Sequence, residues 1–115
     1  MKLVRWGDAG AEQAGLVDAT GTLRDLSSTV ADWSWQTLTP EMLAQVAALD
    51  TDTLPALPTD TRLGAPVSRP GKIVGCALTY GKHAAEAGLE PPEEPMFMLT
   101  AASAINGPRD PVMMP

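Results

Sequence analysis

Four prolines in the middle of the chain limit its possible folds more than any other feature. They are Pro55, Pro58, Pro66 and Pro70. Proline fixes φ and has no N–H to donate, so this segment cannot form a regular helix or a central strand. It is predicted to be an extended linker containing a short strand-like run over 62–64. The linker divides the chain into a first module over 1–70 and a second over 71–115.

The first module is predicted to be a β-hairpin followed by one helix. The side-chain pattern of residues 2–6 predicts a short strand. Residues 16–23 are predicted to form a hairpin with Asp18 and Gly21 flanking its turn. Thr39 is the expected N-cap of the helix and Pro40 its first residue. The buried side of this helix is expected to comprise Met42, Leu43, Val46, Ala47 and Leu49. The tryptophans are expected to anchor the core of this module.

The second module begins with a strand over 72–78 and a short helix over 80–87 that ends at Gly88. A further strand follows over 96–100, and then a short extended run over 102–105. Its apolar positions indicate a buried sheet. Cys76, Met96 and Met98 are therefore expected in the core. Together the two modules predict an α+β fold.

Charge and composition exclude several classes of function. The net charge is −6, and the 8 basic residues are scattered among 14 acidic ones. A nucleic-acid or anionic-membrane surface needs clustered positive charge, so both partners are unexpected. One cysteine permits no internal disulfide and favours a reducing compartment. The first residues lack the pattern of a signal peptide, and no apolar run could span a bilayer, so we expect a cytoplasmic protein.

The acid–base candidates lie in the segment 75–88, where a strand-like run leads into the second helix. His83 is the only histidine, and Glu86 follows three positions later. On a helix this spacing places both side chains on one face, where a carboxylate can orient an imidazole as a general base. The simpler interpretation is a solvated surface pair. Thr79 and Tyr80 precede the pair and are candidate substrate contacts, although Tyr80 could instead pack beneath the helix.

Five segments in order resemble the fumarylacetoacetate hydrolase family. The first is the N-terminal module, represented by residues 1–7, 15–18 and 24–26, and the others are 62–73, 75–88, 95–98 and 103–108. The resemblance implies a small N-terminal hairpin and helix module, followed by the first strands and lid helix of a mixed β-roll. It also implies cleavage, decarboxylation or isomerisation of β-diketo or acylpyruvate-type acids. His83 and Glu86 would be the water-activating pair on the lid helix, and Thr79 and Tyr80 would lie beside the substrate.

The resemblance also implies a Mg²⁺ or Mn²⁺ cofactor. The carboxylates that hold the metal in this family have no counterpart in the sequence. Glu90, Glu93 and Glu94 are interrupted by prolines, and Asp50 and Asp52 close a helix, so neither set has metal-site spacing. The ligands are therefore expected from residues outside this chain.

Three hypotheses remain open. The chain is part of a metal-dependent hydrolase or lyase, a metal-free homologue that binds a small molecule, or an assembly partner that completes its sheet with another polypeptide. The family resemblance favours a keto-acid substrate and a homodimer. Met113 and Met114 are expected to pack against a second chain or against sequence outside this one.

Overall fold

The structure, a computed structural model, describes residues 1–114, and Pro115 lies outside the described residues. The fold is mixed α+β, which confirms the predicted class. Its strands and helices are β1 (Lys2–Trp6), β2 (Gln13–Val17), β3 (Leu23–Asp25), α1 (Pro40–Ala47), β4 (Ile73–Ala77), α2 (Gly81–Glu86) and β5 (Met96–Thr100). Single 3₁₀ turns lie at Thr51–Thr53 and Ala102–Ala104. The chain forms two compact units: 1–70 together with 105–114, and 71–104.

The first unit contains an antiparallel sheet with strand order β1-β2-β3. The pairing places Leu3 opposite Leu16 and Gly15 opposite Asp25. The β2–β3 turn is closed because the Asp18 N–H donates to the Thr22 carbonyl at 3.0 Å, and Gly21 has a φ of 88° that favours glycine. The predicted hairpin is therefore confirmed.

The proline-rich linker lies along both edges of this sheet. At the β3 edge, the Asp25 N–H donates to the Pro55 carbonyl, and the Leu57 N–H donates to the Leu23 carbonyl, both at 2.9 Å. At the β1 edge, Leu63 forms an antiparallel bridge with Trp6. The linker is therefore an integral part of the unit, and it satisfies edge groups that would otherwise be open.

The core of the first unit lies between the sheet and the segment that follows it. Its buried side chains are Ala14, Leu16, Leu26, Val30, Trp33 and Val46. Trp33 is fully buried, and its indole N–H donates to the Gly15 carbonyl at 3.0 Å. Trp35 is 76% exposed, so the expectation that every tryptophan anchors the core is wrong at this position.

Helix α1 begins as predicted. The Thr39 side chain accepts a hydrogen bond from the Met42 N–H, and Pro40 occupies the first turn. Val46 is its fully buried residue, and Met42 and Leu49 pack at the edge of the core. Ala47 is exposed because it lies beside the apolar face of the helix rather than on it.

The second unit contains an antiparallel pair, β4 and β5, in which Val74 is opposite Leu99 and Cys76 is opposite Phe97. Directly opposed residues project from the same face of a sheet. These four side chains therefore share one face, and all four are exposed. We call this set, Val74, Cys76, Phe97 and Leu99, the open face.

Burial is where the predictions for the second unit are wrong. Cys76 is exposed rather than in the core, because no residue of 71–104 covers the open face. Met96 and Met98 are also exposed, since a two-stranded sheet has too few neighbours to bury both of its sides. Residues 102–104 form a 3₁₀ turn rather than an extended run. No helix among residues 1–114 is long and apolar enough to cross a bilayer.

Candidate functional site

The segment that carries the predicted site residues is a sharp corner between β4 and α2. Strand β4 ends at Ala77, and the helix begins at Gly81. Between them Leu78 has a φ of 53°, in the left-handed region that a bulky side chain rarely adopts. Such strain costs about 1–3 kcal/mol and is concentrated at functional sites. The corner is therefore a strained part of the second unit, as is common at functional sites.

Helix α2 has a well-defined end. The Gly88 N–H donates to the Ala85 carbonyl at 3.1 Å, and the Leu89 N–H donates to the Ala84 carbonyl at 2.9 Å. Gly88 has a φ of 69°, which completes the Schellman arrangement. Ala84 is the buried residue of the helix. The helix presents its remaining side chains, His83 and Glu86 among them, at the surface.

His83 and Glu86 are both exposed on α2. The ion pairs formed within residues 1–114 do not include either side chain. The contact expected from their spacing is therefore not made in this structure. Catalytic hydrogen bonds often tighten only when substrate is bound, so the role of the pair stays a prediction.

Thr79 and Tyr80 lie in the corner itself, just before the helix that carries His83. Both are exposed, and Tyr80 is 78% exposed. Tyr80 is the N-cap residue of α2, and its carbonyl accepts from the Ala84 N–H at 3.1 Å, although its side chain makes no capping bond. The alternative in which Tyr80 packs beneath the helix is not observed. Contact of Thr79 and Tyr80 with a substrate stays a prediction.

The described residues do not fit a divalent metal. Within residues 1–114, no three side chains of histidine, cysteine, aspartate or glutamate lie close enough together to hold an ion. A Mg²⁺ or Mn²⁺ ion would need ligands from elsewhere.

The charged groups that do cluster lie in the first unit, and sequence reasoning missed them. The Arg5 guanidinium donates to both carboxylate oxygens of Asp32, with Nη2 to Oδ2 at 3.0 Å, and its Nη2 also reaches Glu12 at 3.4 Å. Arg5 is buried, so these acids neutralise a charge that has little access to water. The pairing joins positions 27 apart, and no local motif signals it.

Arg62 extends this cluster. It donates to Glu12 Oε1 at 3.0 Å and to both oxygens of Asp110, at 2.9 and 2.6 Å. Burial raises the pKa of Glu12, but the hydrogen bond from Arg62 and the charge of Arg5 outweigh burial, so the net pKa is lowered. The hydrogen bond from Arg62 also lowers the pKa of Asp110. Burial also raises the pKa of Asp32, but its hydrogen bonds, chiefly from Arg5, and the charge of Arg5 outweigh burial, so all three acids of the cluster are carboxylates at neutral pH.

A groove of about 450 Å³ lies beside this cluster in the first unit. Its lining includes Thr59, Thr61, Arg62 and Arg109. Arg62 is already paired with two carboxylates, so it offers little net positive charge to an incoming anion. We therefore assign the cluster a structural role, which is to fasten the linker and the 105–114 segment onto the sheet.

Known proteins that are similar in sequence to this chain are named as hydrolases. A Burkholderia ambifaria protein (strain MC40-6) named "Putative hydrolase" is 44% identical over 115 residues, which are 100% of this chain and 41% of that protein. A Burkholderia multivorans protein with the same designation has the same identity and coverage. A Burkholderia cenocepacia protein (strain HI2424) of that designation is 43% identical over the same span. The chain thus spans about 41% of the length of these relatives. No protein-family model matches the chain.

Proposed function

We propose that this chain forms part of a hydrolase of the fumarylacetoacetate hydrolase family. The observation that carries the proposal is the 44% identity to a protein named as a hydrolase, which extends over all 115 residues and so includes the β4–α2 corner. The family and the acylpyruvate-type substrate come from the sequence resemblance. The strained Leu78 supports a functional role for the corner.

In the proposed reaction His83 is the general base. The neutral imidazole accepts a proton from the attacking water through one ring nitrogen, and the other ring N–H donates to the Glu86 carboxylate. One helical turn separates the two residues, so a change of side-chain rotamer is enough to bring them together. Thr79 and Tyr80 are proposed to orient the substrate, because they occupy the same corner.

The divalent cation of the family also stays a proposal. The described residues supply no ligand cluster for it, so we assign none of them to a metal and derive no step through one. The proposed contribution of this chain to the reaction is proton transfer and substrate positioning.

The proposal is tested with acylpyruvates and Mg²⁺, using this chain alone and this chain combined with the remaining part of the Burkholderia ambifaria relative. We expect His83→Ala to lower kcat by about 10²–10⁴-fold, as for loss of a general base. Lys82→Ala is the control, because Lys82 is the preceding exposed residue on the same helix.

The pH profile separates a base from a structural residue. With His83 present, the pH profile of kcat should have the acidic limb that a general base produces, and this limb should disappear in His83→Ala. Unchanged turnover in His83→Ala, or no hydrolysis in either preparation, contradicts the proposal.

A further inference from the structure

The open face of the β4–β5 sheet is the strongest feature of the molecule that the proposed chemistry leaves unexplained. Its side chains are all apolar, and Leu99 and Phe97 are 76% and 69% exposed. Contiguous apolar groups on a soluble protein mark an interaction surface, whereas single exposed apolar residues are ordinary. The face is also regular, because the register places Val74 beside Leu99 and Cys76 beside Phe97.

The other side of β5 is exposed as well. Met96 and Met98 alternate with Phe97 and Leu99 along the strand, and both are about half exposed. A strand that is apolar on both sides is typical of a sheet covered on both faces. The sequence of β5 is thus typical of a strand buried on both sides, although within the second unit all of its residues are exposed.

The comparisons indicate what covers the open face. The relatives match this chain along its whole length, including β4 and β5, yet more than half of each relative lies outside the match. In the relatives the corresponding hairpin therefore belongs to a polypeptide with ample further sequence. A second copy of this chain would not account for that extra length.

We infer that the open face is the docking surface for polypeptide corresponding to the part of the relatives that this chain does not match. That polypeptide packs an apolar layer onto Val74, Cys76, Phe97 and Leu99. The docking depends on apolar burial and does not rest on the proposed function. A complex that forms but hydrolyses nothing would support this inference while contradicting the chemistry assigned to His83.

The single cysteine allows the accessibility of the open face to be measured directly. Cys76 lies on the open face and is exposed, so its thiol should react readily with a maleimide in this chain alone. The probe is the unmatched part of the Burkholderia ambifaria relative, co-expressed with the chain. We expect a 1:1 complex in which the labelling rate of Cys76 falls at least tenfold.

Matched variants distinguish docking at the open face from nonspecific association through exposed apolar side chains. Leu99→Asp should weaken association at least tenfold, because it places a charge in the apolar contact. Trp35→Asp should leave association unchanged, because Trp35 is equally exposed, at 76%, but lies in the first unit. Phe97→Ser is a milder second variant on the same face. Fluorescence of Trp6 and Trp33, which lie in the first unit and are present in every variant, monitors the folding of that unit, and amide exchange in β4 and β5 monitors the hairpin.

Three results would overturn the inference. The first is that the co-expressed probe purifies without this chain bound to it, so that no complex forms. The second is equal association by Leu99→Asp and Trp35→Asp. The third is dimerisation of the chain alone that Leu99→Asp abolishes, which would assign the open face to a second copy.

Discussion

Arg62 and Asp110 form a two-point ion pair between positions 48 apart in the chain. Arg62 Nε donates to Asp110 Oδ1 at 2.9 Å, and Nη2 donates to Oδ2 at 2.6 Å. Paired, parallel bonds of this kind fix geometry as well as adding energy. Through Glu12, the same arginine is joined to the cluster around Arg5. The 105–114 segment is therefore fastened to the first unit by a charge network rather than by a strand.

Loss of the Arg62 guanidinium should loosen this segment. We expect Arg62→Met to increase hydrogen exchange at the Asp110 amide, which donates to the Gly107 carbonyl at 3.2 Å. The physical reason is that Asp110 and Glu12 would lose their shared counter-charge. Arg109→Met is the control, because Arg109 is exposed and lies next to Asp110 in sequence. Equal protection of the Asp110 amide in the two variants would contradict the assigned role.

Acid should destabilise the first unit. The pKa values of Glu12, Asp32 and Asp110 are all lower in the fold than in the free side chains. Groups with lowered pKa values stabilise the fold fully above their unfolded pKa values, which are about 4, and this stabilisation is lost as the pH falls through the folded values.

The measurement is thermal unfolding followed by tryptophan fluorescence across that pH range. We expect the midpoint to be nearly constant from neutral pH down to about pH 5 and to fall below that. Arg62→Met should flatten the decline, since Glu12 and Asp110 would then titrate closer to their ordinary values. A midpoint that rises on acidification would be incompatible with the network.

Local patterns predicted much of the fold. The Asp18–Gly21 turn, the Thr39 cap and the Gly88 stop each depend on residues within one turn, and all three are confirmed. The ion network could not be predicted, because Arg5–Asp32 and Arg62–Asp110 are brought together only by the completed sheet. The apolar patterns of β4 and β5 predict buried strands, but the structure leaves all of β5 exposed, and Val74 and Cys76 of β4 as well. Burial depends on what packs against a strand, which its own sequence does not specify.

The two neighbouring tryptophans should differ strongly in their contribution to stability. Trp33→Ala should lower the free energy of unfolding by about 3–5 kcal/mol, because it empties the centre of the core and leaves the Gly15 carbonyl without its indole donor. Trp35→Ala should change it by less than about 0.5 kcal/mol, since that side chain is largely in water.

Urea unfolding followed by circular dichroism gives both values. If Trp33→Ala does not fold, Trp33→Phe keeps most of the volume and should still lower the midpoint. Similar losses in Trp33→Ala and Trp35→Ala would mean that the core is placed incorrectly.

The helix that carries His83 should depend on Gly88 for its end. A Cβ at Gly88 would meet no atom within 4 Å, so Gly88→Ala tests backbone conformation alone. At a φ of 69° the substitution should cost about 1–2 kcal/mol, because an L side chain is strained in the left-handed region. Gly81→Ala is the matched control, since Gly81 also has open space but begins the same helix. We expect amide exchange at positions 88 and 89 to become faster in Gly88→Ala and to stay unchanged in Gly81→Ala. The exchange rate of the Ala87 amide is the internal reference. Equal exchange in both variants would show that the left-handed glycine does not hold the end of α2, and that the position of His83 is fixed in some other way.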